Sequence, residues 1–306
     1  MPPDARQPSS ETTPAAAAST APSIPWQPLT PRGVAAFATA RWGWLLAWQL
    51  VVAGATAGAV LWFFQTNWFP VIRDSIARLP DQGVIQNRQL SIPIDAAKPL
   101  AENRFLAILA DPDDVGTPSL TADVRIGFHR RSAAVCSLFG CIPYEYPEGF
   151  VIQANRPEVQ SHWGAWKPTV CWIIVAGTML WLLVNWFLLA TIYCPFVRLY
   201  SYFKDREITL ASSWKLCAAA LLPAAVFATT CIVLYGLGLL PLLQFLILWS
   251  LHIVTGWCYL ILAPLHLPRF ADAPPKTRNP FDDPEHVPAP PQKPSNPFTG
   301  TDGNPS

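Results

Sequence analysis

Four apolar runs, Trp42–Phe64, Pro168–Ile192, Trp214–Tyr235 and Pro241–Ala263, constrain this chain more than any other feature. Each is near the ~20 residues that a helix needs to cross a bilayer. Arg41 and Lys215 sit at their edges, and no other Lys, Arg, Asp or Glu falls within them. Charged residues make up only 13% of the chain, against roughly a quarter in soluble domains. Core helices of a soluble protein do not combine this length with this purity, so the fold class is membrane α-helical. The expected architecture is four transmembrane helices with a small, mainly β (α+β) extracytoplasmic domain inserted between helices 1 and 2.

Basic residues near short loops are retained on the cytoplasmic side. Arg198, Lys204, Arg206 and Lys215 lie between the second and third runs, whereas Gly236-Leu237-Gly238 between the third and fourth carries no charge. Both termini are therefore expected in the cytoplasm. The resulting division is an unfolded N-terminal arm (1–40), helix 1 (41–64), an extracytoplasmic domain (65–167), helix 2 (168–192), an interfacial loop (193–213), a helical hairpin (214–263) and a Pro-rich cytoplasmic tail (264–306). Ala57-Gly58-Ala59 resembles a signal cleavage site, but the long leader before it and the apolar residues after it favour a retained anchor. Asn-Pro-Phe occurs twice in the tail, at 279–281 and 296–298, and resembles endocytic signals. The outer segment has no Asn-x-Ser/Thr site, which agrees better with a bacterial inner membrane.

In the outer segment, Ile72, Ile76 and Leu79 share one helical face and Asp74 is spaced to pair with Arg78, which predicts a short amphipathic helix over 70–79 lying on the leaflet. From Gly83 the period becomes two. Val84-Ile85 and Leu90–Ile92 flank a polar turn, and Phe105–Leu109, Val124–Phe128, Val135–Phe139 and Phe150–Ile152 complete the candidate strands. Cys136 and Cys141 are spaced to face each other across a turn. A structural disulfide and a redox pair both fit, although the spacing is not Cys-x-x-Cys. Asp111-Pro112-Asp113-Asp114 before Gly116 is read as an exposed turn, because it lacks the spacing and closing Glu of a calcium loop. His129 and His162 have no accompanying ligand spacing.

No catalytic, phosphate-binding, dinucleotide-binding or metal motif occurs, so neither an enzyme nor a cofactor is expected. The net charge of +1 gives no footprint for nucleic acid. Polar residues within the spans need partners. Gln49, Asn185, His252 and Thr255 form a candidate intramembrane cluster, open to two readings: a polar path, or interhelical hydrogen bonding. Gly54 and Gly58, and the stripe Ala220, Ala224 and Ala228, are suited to close packing of helices within one bundle or in a homo-oligomer.

An anchor helix leads to Trp68-Phe69-Pro70 and an outer domain. A three-helix unit follows, entered through Ile208-Thr209-Leu210-Ala211-Ser212-Ser213-Trp214-Lys215-Leu216 and continuing to Pro223. This layout resembles uncharacterised bacterial membrane proteins with a domain of unknown function, and the helical unit resembles the Yip1-type membrane fold. The resemblance implies no activity and carries over no functional residue. The expected role is a non-enzymatic scaffold or partner-binding component of the inner membrane, with the lipid bilayer and an envelope protein as partners. The alternative is a small transporter, or a subunit of one, built on the polar cluster.

Overall fold

The computed structural model describes residues 27–93, 98–112 and 121–269. Four helical stretches among them are long and apolar enough to cross a membrane, and a small sheet domain stands at one end of the bundle. The chain is thus a multi-pass membrane protein of α+β layout.

Part of the expected N-terminal arm is folded. Residues 31–36 form α1 (Pro31–Ala36), capped by Thr30, whose hydroxyl accepts from the Gly33 N–H at 3.1 Å. Val34 and Phe37 are fully buried in the core of the bundle, and this apolar anchor offsets the ordering entropy that the Pro- and Ala-rich composition alone would not. Both Asn-Pro-Phe tripeptides lie outside the described residues.

Helix α2 (Trp42–Phe63) continues through a π-helical turn (Phe64–Trp68) into α3 (Phe69–Ala77). Pro70 has no N–H to give to the preceding turn, and the ladder widens there. Thr66 donates its hydroxyl back to the Trp62 carbonyl, at 2.8 Å. The amphipathic helix expected on the leaflet therefore leaves the bundle as an extension of the first span and buries Val71 and Ile76 under the sheet. Its expected Asp74–Arg78 pair is absent; Asp74 pairs with Arg73 at 3.2 Å, while Arg78 donates to the Leu100 carbonyl at 2.8 Å.

Helix α4 (Arg156–Phe203) has 48 residues, about 72 Å at the helical rise and more than twice the ~30 Å hydrocarbon core. Pro168 and Pro195 lie inside it, so the helix begins before the expected start of the second span, and the segment expected as a separate loop from 193 is helical to Phe203. Helix α5 (Leu210–Gly236) follows after a six-residue link, then α6 (Leu242–Leu262).

The hub is α5, which packs against α2, α4 and α6. Two thirds (67%) of its apolar window is buried, against 11% for α4 and for α6. Ala220, Ala224 and Ala228 are all buried. They let α6 approach closely, since a methyl group added at Gly256 would sit 3.6 Å from the Ala224 Cβ. By contrast, a methyl group at Gly54 or Gly58 would meet nothing within 4 Å. Among the described residues, that pair packs against no other helix.

The sheet domain holds β1 (Val84–Gln86), β2 (Gln89–Ser91), β3 (Lys98–Glu102), β4 (Leu106–Asp111), β5 (Val124–His129), β6 (Ser132–Ser137), β7 (Gly140–Glu145) and β8 (Ile152–Gln153). They form a three-stranded sheet, β2-β1-β8, and a five-stranded sheet, β3-β4-β5-β6-β7, in which only β4 and β5 run parallel. Asn87 and Arg88, both at positive φ (51° and 60°), make the tight β1–β2 turn, whose backbone twist suits a two-residue hairpin. Strand β4 is buried throughout and packs with α3, whereas every residue of the edge strand β7 is exposed. Asp111, expected in an exposed turn, is fully buried at the end of β4, with His129 Nδ1 3.9 Å from its carboxylate. Asp113, Asp114 and Gly116 lie outside the described residues.

Candidate functional site

Beside its packing on α3, the sheet domain is seated on the bundle by a junction of side chains at the α5–α6 loop. Arg104 donates through Nη1 to the Gly238 carbonyl and through Nη2 to the Leu240 carbonyl at 2.6 Å, gripping the α5–α6 loop. Tyr235 donates to Asp123 at 2.7 Å. Phe105 meets Tyr235 and Phe63 edge-to-face, with centroids 5.0 and 5.4 Å away. Asn103 caps the turn by accepting from the N–H groups of Phe105 and Leu106, both at 2.9 Å, and donates to the Asn67 carbonyl at 2.6 Å. These contacts tie the bundle end of β4 and β5 to the spans.

Inside the bundle, α4 and α6 lean on opposite flanks of α5 and leave a cleft. One section has a volume of about 470 Å³ and is floored by Leu221, Ala224, Ala225 and Ala228, with Thr56 of α2 also lining it. Asn185 and His252 line it from its two walls. A second chamber of about 470 Å³ continues along Phe196, Val197, Tyr200 and Leu260. Between them Trp257 Nε1 donates to the Tyr193 hydroxyl at 3.2 Å, a polar bridge across the cleft. His252 Nδ1 contacts the Trp249 carbonyl within its own helix.

Of the four polar residues singled out from the sequence, then, the structure brings Asn185 and His252 to one cavity. Gln49 is buried on α2 and does not line it. Thr255 turns its hydroxyl to the Leu251 carbonyl at 3.1 Å, within its own helix. A polar contact that links α2 to α5 is one the sequence did not flag, Thr56 to Thr229 at 2.7 Å. Each of these hydroxyls also donates to or shares with a carbonyl one turn back, so nothing in their local pattern distinguishes them from the other span threonines.

Outside the spans, Cys136 and Cys141 are joined as a disulfide across the β6–β7 pairing. Tyr146 donates to the His129 carbonyl at 3.0 Å and is buried with Ile85 and Leu90. Burial pushes its phenol up to about 12. An apolar groove of about 370 Å³ separates the start of α4 from α3 and the sheet, lined by Ile72, Leu79, Leu100, Val159 and Trp163. Among the described residues no three His, Cys, Asp or Glu side chains gather as a metal site. No family model, curated protein or solved structure matches the chain.

Proposed function

We propose that this chain is a non-enzymatic protein of a bacterial inner membrane whose sheet domain faces away from the cytoplasm and binds another envelope protein. The observation that carries the reading is an apolar stretch that the fold leaves uncovered. Ile142 (59%) and Tyr144 (56%) on β7 and Phe150 (66%) and Val151 (59%) before β8 are exposed, although they lie outside every span. Large apolar side chains grouped in water mark interaction surfaces.

The edge itself is blunted. Cys136 and Cys141 have Cα atoms 4.0 Å apart, the short spacing of a pair that exchanges no backbone hydrogen bonds. Pro143, two residues along β7, therefore has its nitrogen turned away from β6. Its missing donor costs the sheet nothing and interrupts the outward row that an added strand would need. A partner would be recognised by side chains. The orientation is supported by Arg32, Arg41, Arg198, Lys204, Arg206 and Lys215, all at the end of the bundle opposite the sheet.

A second reading, a small transporter or transporter subunit, is favoured by the shared cavity of Asn185 and His252. The two separate in one experiment. After mild in-cell crosslinking, the full chain is captured from its membrane alongside a form lacking residues 81–156. A specific envelope protein held only by the full chain is expected. Recovery of none, where crosslinking of a known complex succeeds, overturns the partner reading. Severe loss on His252→Leu in a normally inserted protein would then support transport.

A further inference from the structure

The two-residue turn between β6 and β7 is Leu138-Phe139, and it is the wrong chemistry for a turn. Such positions favour Gly, Asn and Asp, which bond locally or tolerate left-handed backbone. Neither Leu138 nor Phe139 has positive φ; Gly140, at 114°, takes that conformation instead. The Ser137 hydroxyl accepts from the Phe139 N–H at 3.3 Å and closes the turn. Polar side chains at 138 and 139 would serve the fold as well. Phe139 is instead 84% exposed and Leu138 59%, so the turn has no need of them and no neighbouring residue covers them.

Strand register says which way they point. Leu106 pairs with Val124, Val124 with Ser137, and Ser137 with Gly140, one row across four strands. That row is the end of the sheet held on the spans, since Arg104, two residues before Leu106, binds the α5–α6 loop and Asp123, next to Val124, binds Tyr235. Strands β6 and β7 stand roughly 5 and 10 Å to the side of β5, beyond the part of the sheet that rests on helices. From Ser132 to Tyr144 the hairpin carries no Lys, Arg, Asp or Glu. Arg130, Arg131 and Glu145 lie at its other end, away from the bundle.

From these observations we infer that Leu138 and Phe139 insert into the bilayer surface beside the bundle, making the β6–β7 hairpin a second membrane contact of the sheet domain. The occupant of this surface is phospholipid. An aromatic ring and a branched aliphatic side chain gain by leaving water for the acyl boundary, and the Cys136–Cys141 disulfide directly behind the turn holds the hairpin ends together as they enter. The contact would brace the sheet against tilting about the Arg104 junction. The inference rests on the bilayer placement proposed above and is independent of any protein partner.

The test uses the purified full chain in vesicles of phosphatidylethanolamine and phosphatidylglycerol, with a photo-reactive phenylalanine analogue replacing Phe139. Irradiation is expected to leave a phospholipid adduct on the hairpin peptide. The same analogue at Phe150, also exposed but distant from the row, should give at least about ten-fold less. A reporter at Ile173, exposed on the α4 span, controls for insertion. Lipid adducts at 173 and none at 139, or equal adducts at 139 and 150, overturn the inference. Absence of adducts at 173 would instead contradict the bilayer placement of the spans.

Discussion

Two residues report how tightly the packing is drawn. The Tyr146 phenol is raised from its ordinary 10.0 to about 12 by burial, because the charged form loses its water. Between those values the unfolded chain has released the proton and the folded chain has kept it. The stabilisation is therefore complete below pH 10 and is lost as pH rises toward 12. Proteolysis of the sheet domain at graded alkaline pH should accelerate across that window, and Tyr146→Phe should remove the Tyr146 share of the acceleration at a neutral-pH cost of about 1 kcal/mol for the bond to His129. An unaltered profile in the variant would contradict it. Gly236 is constrained differently. A methyl group there would lie 2.7 Å from Trp62 Cζ3 and 3.1 Å from Phe63 Cδ2, at the point where Asn67 donates to the Gly236 carbonyl at 3.2 Å. Gly236→Ala should cost about 1–3 kcal/mol through overpacking, read as a lower thermal midpoint in detergent, whereas Gly58→Ala should leave that midpoint unlowered. Equal effects would sink the assignment of Gly236 to the α2–α5 contact.

Strand β7 is held without burial. All six of its residues are exposed, so the hairpin leans on its pairing with β6 and on the disulfide. Opening the loop by Cys136→Ser should cost about 2 kcal/mol on the chain-entropy account, seen as faster hydrogen exchange confined to β6 and β7; exchange unchanged there would contradict it. The same strand shows why parts of the fold were hidden in the sequence. A strand is legible when one face is apolar and packs on the core, as for the half-buried Val124, Ile126 and Phe128. Gly140-Cys141-Ile142-Pro143-Tyr144-Glu145 has neither a buried face nor freedom from Pro and Gly, and Lys98–Glu102 is equally unpatterned. The spans were legible because lipid requires apolar side chains on every face. The lengths of the helices that carry them were not: Pro168 and Pro195 look like boundaries, yet α4 continues through both, as membrane helices can where neighbouring groups satisfy the freed carbonyls. Within the site, Asn185 and His252 stood out as polar residues in apolar runs. The Trp257–Tyr193 bridge and the Thr56–Thr229 contact depend on which helix faces meet, and no local pattern encodes that.

Taken together, a central small-residue helix carries three others, two of which expose most of their surface, and one clamp at Arg104, Phe105 and Asp123 seats a sheet domain on the end of the bundle. Such a domain is too small to gain much from its own core, which fits its dependence on α3, on the start of α4 and on the junction. What it presents are the exposed apolar side chains Ile142, Tyr144, Phe150 and Val151, which flank the buried Tyr146, with an edge that resists strand addition. The account therefore stands on that group being an interface. A photo-reactive residue replacing Ile142 or Phe150 in living cells, compared with one replacing the exposed Arg73 on α3, would decide it. One discrete protein adduct, shared by 142 and 150 and absent at 73, is the predicted result. No adduct at either position, or the same adducts from all three, would contradict it.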